Sequence, residues 1–148
     1  FGLDLCRAGG RVVALDYGRR RIGVAASDPL RTIASPHVAM KNADPPTEPP
    51  QGLLNLLRDL APVVVIVGVP VHMDGTSGEM ATEARAFAAR LSALSGLQVL
   101  ERDERLTSFE AEEMLRDMNL SRRRRHEKGL KDMLAATVLL KEYLEELG

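Results

Sequence analysis

The sequence predicts an α/β domain: a five-stranded mixed sheet with helices on both faces. Three observations carry this. Short apolar runs recur along the chain, as strands buried on both faces require. Three of them precede any helical pattern, which makes a meander. The later ones alternate with amphipathic helical stretches, as parallel units need.

The first strand is Val12-Val13-Ala14-Leu15, a continuous apolar run that ends in Asp16. Gly18 and three arginines follow, then Ile22-Gly23-Val24-Ala25-Ala26 forms a second strand ending near Asp28. So short a connection implies an antiparallel hairpin, with Gly18 supplying permissive dihedrals. Residues 32–41 form the third strand. Residues 43–50 hold four of the eight prolines and read as an exposed loop. Leu53, Leu56, Leu57 and Leu60 mark a short amphipathic helix. Val63 to Val67, β-branched throughout, is the fourth strand.

Thr76 and Glu79 have the spacing of a capping box. The helix behind them turns Met80, Ala84, Phe87, Leu91 and Leu94 to one face, and Gly96 ends it. Leu97 to Glu101 is the fifth strand. Thr107 and Glu110 repeat the capping spacing and open a helix with Ala111, Met114, Leu115 and Met118 inward. A polar, Arg-rich stretch covers 119–129. The last helix runs from about Lys128 to Leu147, with Met133, Ala136, Leu140, Leu144 and Leu147 on its inner face.

A length of 148 residues suits one domain that buries its own core. Residues 1–10 read as a disordered or appended terminus, without the basic start and long apolar run of a secretory signal. Residues 11–148 read as the domain. Lys and Arg number 20 against 21 Asp and Glu, so any grip on a polyanion must come from local patches. Aromatics make up 3% and Trp is absent, which excludes an aromatic platform for single strands. A single cysteine, Cys6, allows neither an internal disulfide nor a Cys/His zinc set, and a reducing cytoplasm is expected. The longest apolar stretch, Val63 to Val71, is too short for a membrane span.

Three places carry carboxylates that the fold alone does not require. Asp16 directly follows four apolar residues, although an Asp there also begins turns. Asp103 and Glu104 sit at the end of the fifth strand. Neighbours on a strand point to opposite faces, so at most one of them shares a site with Asp16. Asp132 lies in the first turn of the last helix, where it also suits the helix dipole. Its neighbours Ala135 and Ala136 are small and let that helix face lie close to the sheet. Carboxylates from two strand ends and a helix suit a hard cation such as Mg²⁺ or Mn²⁺. Two such ions assist phosphodiester hydrolysis.

The motifs resemble the YqgF family, also called RuvX. They are Ala14-Leu15-Asp16-Tyr17-Gly18 with Arg21-Ile22-Gly23-Val24-Ala25, and Ile66-Val67-Gly68-Val69-Pro70 with Met73-Asp74-Gly75-Thr76. Asp103-Glu104-Arg105-Leu106-Thr107-Ser108 and Lys131-Asp132 leading into Ala135-Ala136 complete the set. These four ordered blocks are spread over residues 11–147, nearly the whole chain. The resemblance implies an RNase H-like fold and a divalent-metal-dependent nuclease with a two-metal site. It implies structured RNA as substrate, on the 5′ side of the small-subunit rRNA precursor. The family's acidic residues carry over onto Asp16, Glu104 and Asp132, with Asp103 as a further candidate ligand. Around Asp132 the chain reads Lys131-Asp132-Met133-Leu134, where small polar residues are common in the family.

Supporting residues read two ways each. Arg19, Arg20 and Arg21 follow Asp16 and are candidates for phosphate contacts, or a solvated turn. Arg122, Arg123, Arg124 and Arg125 with His126 form the strongest basic cluster and sit shortly before Asp132, as does Lys131. Arg105 is placed to meet a phosphate or to brace the acids. Thr107 reads as a cap, and His37, His72 and His126 as non-ligands. Tyr17 is a stacking or a core residue. Competing functions are a branched-DNA junction resolvase, a non-catalytic nucleic-acid-binding module, and an actin-like kinase domain, whose phosphate loop Asp16-x-Gly also resembles. The last needs two domains. The expected partner is structured pre-rRNA or branched DNA, without a membrane, for a monomer or homodimer.

Overall fold

The computed structural model describes residues 10–70, 78–103, 113, 116, 117 and 129–147. Strands β1 (Val12–Asp16), β2 (Arg21–Ser27) and β3 (Ala34–Lys41) come first. Helix α1 (Gln51–Leu60), strand β4 (Val64–Val69), helix α2 (Glu79–Ser95), strand β5 (Val99–Asp103) and helix α3 (Leu130–Leu147) follow. The sheet order is β3-β2-β1-β4-β5. β1–β2 and β2–β3 are antiparallel; β1–β4 and β4–β5 are parallel. The mixed sheet expected from the meander and the later alternation is therefore present.

The two apolar layers follow from the strand period of two. Val13, Leu15, Val65 and Val67 face α1 and α2 and pack around Phe87, Leu53 and Leu91. Val12, Ala14, Val64 and Ile66 face α3 and meet Ala136, Leu139 and Leu140. Both faces of β1 and β4 are thus buried, which explains why their sequences lack alternation.

Several expectations need correction. Gly18 is absent from the positive-φ residues; its constraint is space, since a Cβ there would stand 2.6 Å from the Arg21 carbonyl oxygen. The N-cap of α2 is Gly78, so Glu79 is the first helical residue rather than the third position of a capping box. Thr76 lies outside the described residues. Leu94 and Leu147 are exposed, not inward. Each sits in the last turn of its helix. Residues 1–9, the Thr107–Glu110 cap and most of the helix after it also lie outside the described residues. Glu113, Arg116 and Asp117 within that stretch are helical and exposed. Among the described residues, no helix is long and apolar enough to cross a membrane.

Candidate active site

Asp16 closes β1, half-buried where the apolar run stops. Its parity is that of Val12 and Ala14, so its side chain stands on the α3 face. Its register partners are Gly23 on β2 and Gly68 on β4. Neither neighbour has a side chain. No cross-strand side chain therefore flanks the carboxylate in the sheet, the arrangement that marks a close backbone or ligand approach.

On the β2 side that space is taken by α3. A Cβ at Gly23 would collide with the Asp132 main-chain carbonyl and stand 2.8 Å from Asp132 Cβ. Gly129, with φ of +88°, brings the chain into the helix and would clash with Ala39 if it carried a Cβ. Ala135 and Ala136 are buried beneath the same turn. Small residues on both partners thus seat Asp132 over Gly23, and Gly23 lies about 5 Å from Asp16 across the pair. The close approach expected from Ala135 and Ala136 is what the structure shows, and Gly23 is its other half.

Asp132 also holds a cation. Arg21 Nε donates to its Oδ2 at 3.2 Å, with both side chains partly exposed. Arg21, expected to meet phosphate, stands against an expected metal ligand.

The neighbouring Arg19 is engaged elsewhere. Its Nε donates to both Glu83 carboxylate oxygens at 3.0 Å, and its Nη2 reaches Glu83 Oε2 at 2.5 Å. Glu79 lies 3.6 Å from the same Nη2. The Tyr17 hydroxyl donates to Glu83 at 3.1 Å, and its ring packs on Phe87 with centroids 5.1 Å apart. Tyr17 is a core residue, 3% exposed, rather than a platform for a base. Burial first, then the Glu83 bond, pushes its hydroxyl up to about 12. The Arg19 bonds hold the Glu83 carboxyl below its ordinary value. This cluster fastens the β1–β2 turn to α2. Glu83 escaped the sequence reading because it looks like any acid on a solvated helix face.

Asp103 falls on the other side of the sheet. It has the parity of Val99, which packs against the α1–α2 layer, and of Glu101, which pairs with Arg85 of α2 at 3.3 Å. Arg102 instead shares the face of Asp16, in the row Asp16–Gly68–Arg102. Two strand spacings, about 10 Å, separate them. Arg102 contacts Glu146 of α3, and its buried Nε has no partner among the described residues. Arg20 and Lys131 are exposed, as is His37 on β3. Glu104, Arg105, Arg122, Arg123, Arg124, Arg125, His72 and His126 lie outside the described residues. Among the described residues no group of three or more acids, histidines or cysteines forms a metal cage. What the structure brings together is Asp16, Gly23, Gly68, Asp132 and Arg21.

Residues 10–146 match the family model described as "RuvX: Holliday junction resolvase". A relative from Endomicrobium trichonymphae, named "Putative pre-16S rRNA nuclease", is 37% identical over 136 residues, covering 91% of this chain and 95% of its own. One of the same name from Opitutus terrae is 42% identical over 137 residues, covering 92% of each. Among solved structures, T. thermophilus RuvC in complex with a Holliday junction substrate matches with a TM-score of 0.56 at 17% identity, covering 94% of this chain and 96% of that one. That likeness is one of fold, and the fold is RNase H-like. With nearly its whole length matched, the chain belongs to the RuvX family.

Proposed function

We propose that this chain is a divalent-metal-dependent nuclease that hydrolyses phosphodiester bonds in RNA, acting in the cytoplasm on the 5′ end of the pre-16S rRNA. One observation carries the reading. Asp16 stands between two glycines in its row of the sheet, with Asp132 seated over one of them. The names of the relatives supply the substrate.

The donor set suits Mg²⁺ or Mn²⁺, since both described candidates are carboxylates and hard cations prefer oxygen. The Arg21 guanidinium already lies against Asp132 Oδ2, and a metal held there would share that carboxylate with it. Asp16 and Asp132 would hold the metal, with Glu104 as a third ligand. Asp103 is the weaker candidate, given its parity. A bound ion, or a pair of them, supplies charge stabilisation at the scissile phosphate and its leaving oxygen. The chain's own contribution is positional. Gly23 fixes the depth of Asp132, and the Tyr17–Glu83–Arg19 cluster fixes the turn that follows Asp16. Arg105 and the run Arg122 to Arg125, with Lys131, are the further phosphate contacts in this reading.

The test is a cleavage panel of structured RNA, single-stranded RNA, duplex DNA and junction DNA, each with and without Mn²⁺. The expected result is Mn²⁺-dependent cleavage of structured RNA that the Asp16→Asn variant lacks. Cleavage that persists unchanged in purified Asp16→Asn protein would sink the assignment. Preference for junction DNA would replace RNA with branched DNA as substrate.

A further inference from the structure

A cavity of about 810 Å³ opens beside Arg21, the ion-pair partner of Asp132, with Arg20, Lys41, Asn42 and Asp44 among its other lining residues. Its floor is fixed by one buried side chain. Asn42 is 8% exposed, and its amide donates to the Gly18 carbonyl at 2.8 Å and the Pro46 carbonyl at 3.0 Å. Its main-chain N–H donates to the Arg20 carbonyl at 2.8 Å. Asn42 therefore ties the β1–β2 turn to the loop after β3 and holds both walls in place.

The charges on those walls are unequally satisfied. Arg21 and Lys41 are direct partners in the β2–β3 register. Like charges directly opposite repel, and Asp132 relieves only Arg21. Glu83 takes up Arg19. Among the described residues, no ion pair or side-chain hydrogen bond engages Arg20 or Lys41. Asp44 is the single carboxylate in the lining. Two cations are thus held uncommitted on a rigid frame, at the end of the site that Arg21 and Asp132 share.

We propose that this groove binds backbone phosphates of the RNA on the β3 side of Asp16 and Asp132, through Arg20 and Lys41. The identity of the polyanion rests on the nuclease reading above. The lining offers charge without aromatic rings, since its apolar members are Ala39, Met40, Ala43 and Pro46. Contacts of this kind position a strand and carry no sequence information. A strand with a phosphate at Asp16 continues past Arg21 to Lys41.

The experiment measures anisotropy of a labelled RNA hairpin with the full chain in EDTA, where cleavage does not interfere. The Arg20→Gln/Lys41→Gln double variant should bind roughly tenfold more weakly, as expected for two lost charge-assisted contacts. Its log affinity should fall less steeply with log salt, by about 1.4 to 1.8 in slope. Lys41→Arg should bind like wild type. Equal thermal melts establish that the variants fold. Unchanged affinity and slope in the double variant would overturn the groove, as would a wild type that binds no RNA. An effect on duplex DNA alone would overturn the RNA assignment. Wild-type cleavage with Mn²⁺ is read separately. A cleaving wild type whose double variant binds as tightly refutes the groove alone. Groove-dependent binding without cleavage refutes the nuclease reading alone.

Discussion

Replacing Gly23 with alanine puts a methyl group where α3 already rests. The added Cβ would stand 2.8 Å from Asp132 Cβ, and ordinary contact begins near 3.4 Å, so the helix must retreat by at least about 0.6 Å. Its approach to the Asp132 carbonyl is closer still, and that atom is main chain. No rotamer change relieves it. Overpacking of this kind costs about 1–3 kcal/mol. A displacement near 1 Å in a positioned group costs roughly a hundredfold in rate. Gly23→Ala should therefore unfold at lower urea and cleave far more slowly. Gly52→Ala is the control. Nothing lies within 4 Å of its Cβ position, and it sits inside α1. That substitution should stabilise by about 0.5–1 kcal/mol and leave cleavage unchanged. A Gly23→Ala protein as stable and active as wild type would refute the reasoning that this contact sets Asp132.

Two further substitutions probe the frame around the site. Tyr17 is raised from 10.0 to about 12, so the folded state keeps a proton that the unfolded chain releases. Its contribution is complete below pH 10 and is lost as pH rises from 10 to 12. Tyr17→Phe should remove that part of the alkaline loss in a stability profile against pH; an identical profile would refute it. Asn42→Ala leaves the Gly18 and Pro46 carbonyls and the Ala43 N–H without their side-chain partner. Stability should fall by about 1–3 kcal/mol in urea denaturation, and an unchanged midpoint would show that Asn42 is dispensable.

The strands were legible because burial on both faces leaves near-continuous apolar runs, as in Val12 to Leu15 and Val63 to Val67. Asp16 was legible as the charge that interrupts such a run. Asp132 was half legible. Ala135 and Ala136 announce a close approach, but nothing local to α3 names Gly23 as the surface approached. Pairings between residues distant in sequence are settled by the sheet register. The same limit hid Glu83, whose partners lie 64 and 66 residues away, and the bond from Asn42 to Gly18, 24 residues away. The alternation rule allows at most one of Asp103 and Glu104 beside Asp16, and only the register says that Asp103 lies opposite Asp16's face. The capping spacing at Thr76 and Glu79 misled because a helix start depends on backbone geometry as well as on residue type. Arg19, Arg20 and Arg21 looked alike as a run. The turn places Arg19 against Glu83 and Arg21 against Asp132, and Arg20 against neither.

The central claim is that Asp16 and Asp132 converge on one divalent cation. Mn²⁺ binding by titration calorimetry tests this most directly, with wild type, Asp16→Asn and Asp132→Asn measured side by side. Each substitution should weaken Mn²⁺ binding by at least about tenfold while the fold is kept, as loss of a carboxylate ligand would. Wild-type affinity in either variant would contradict that claim.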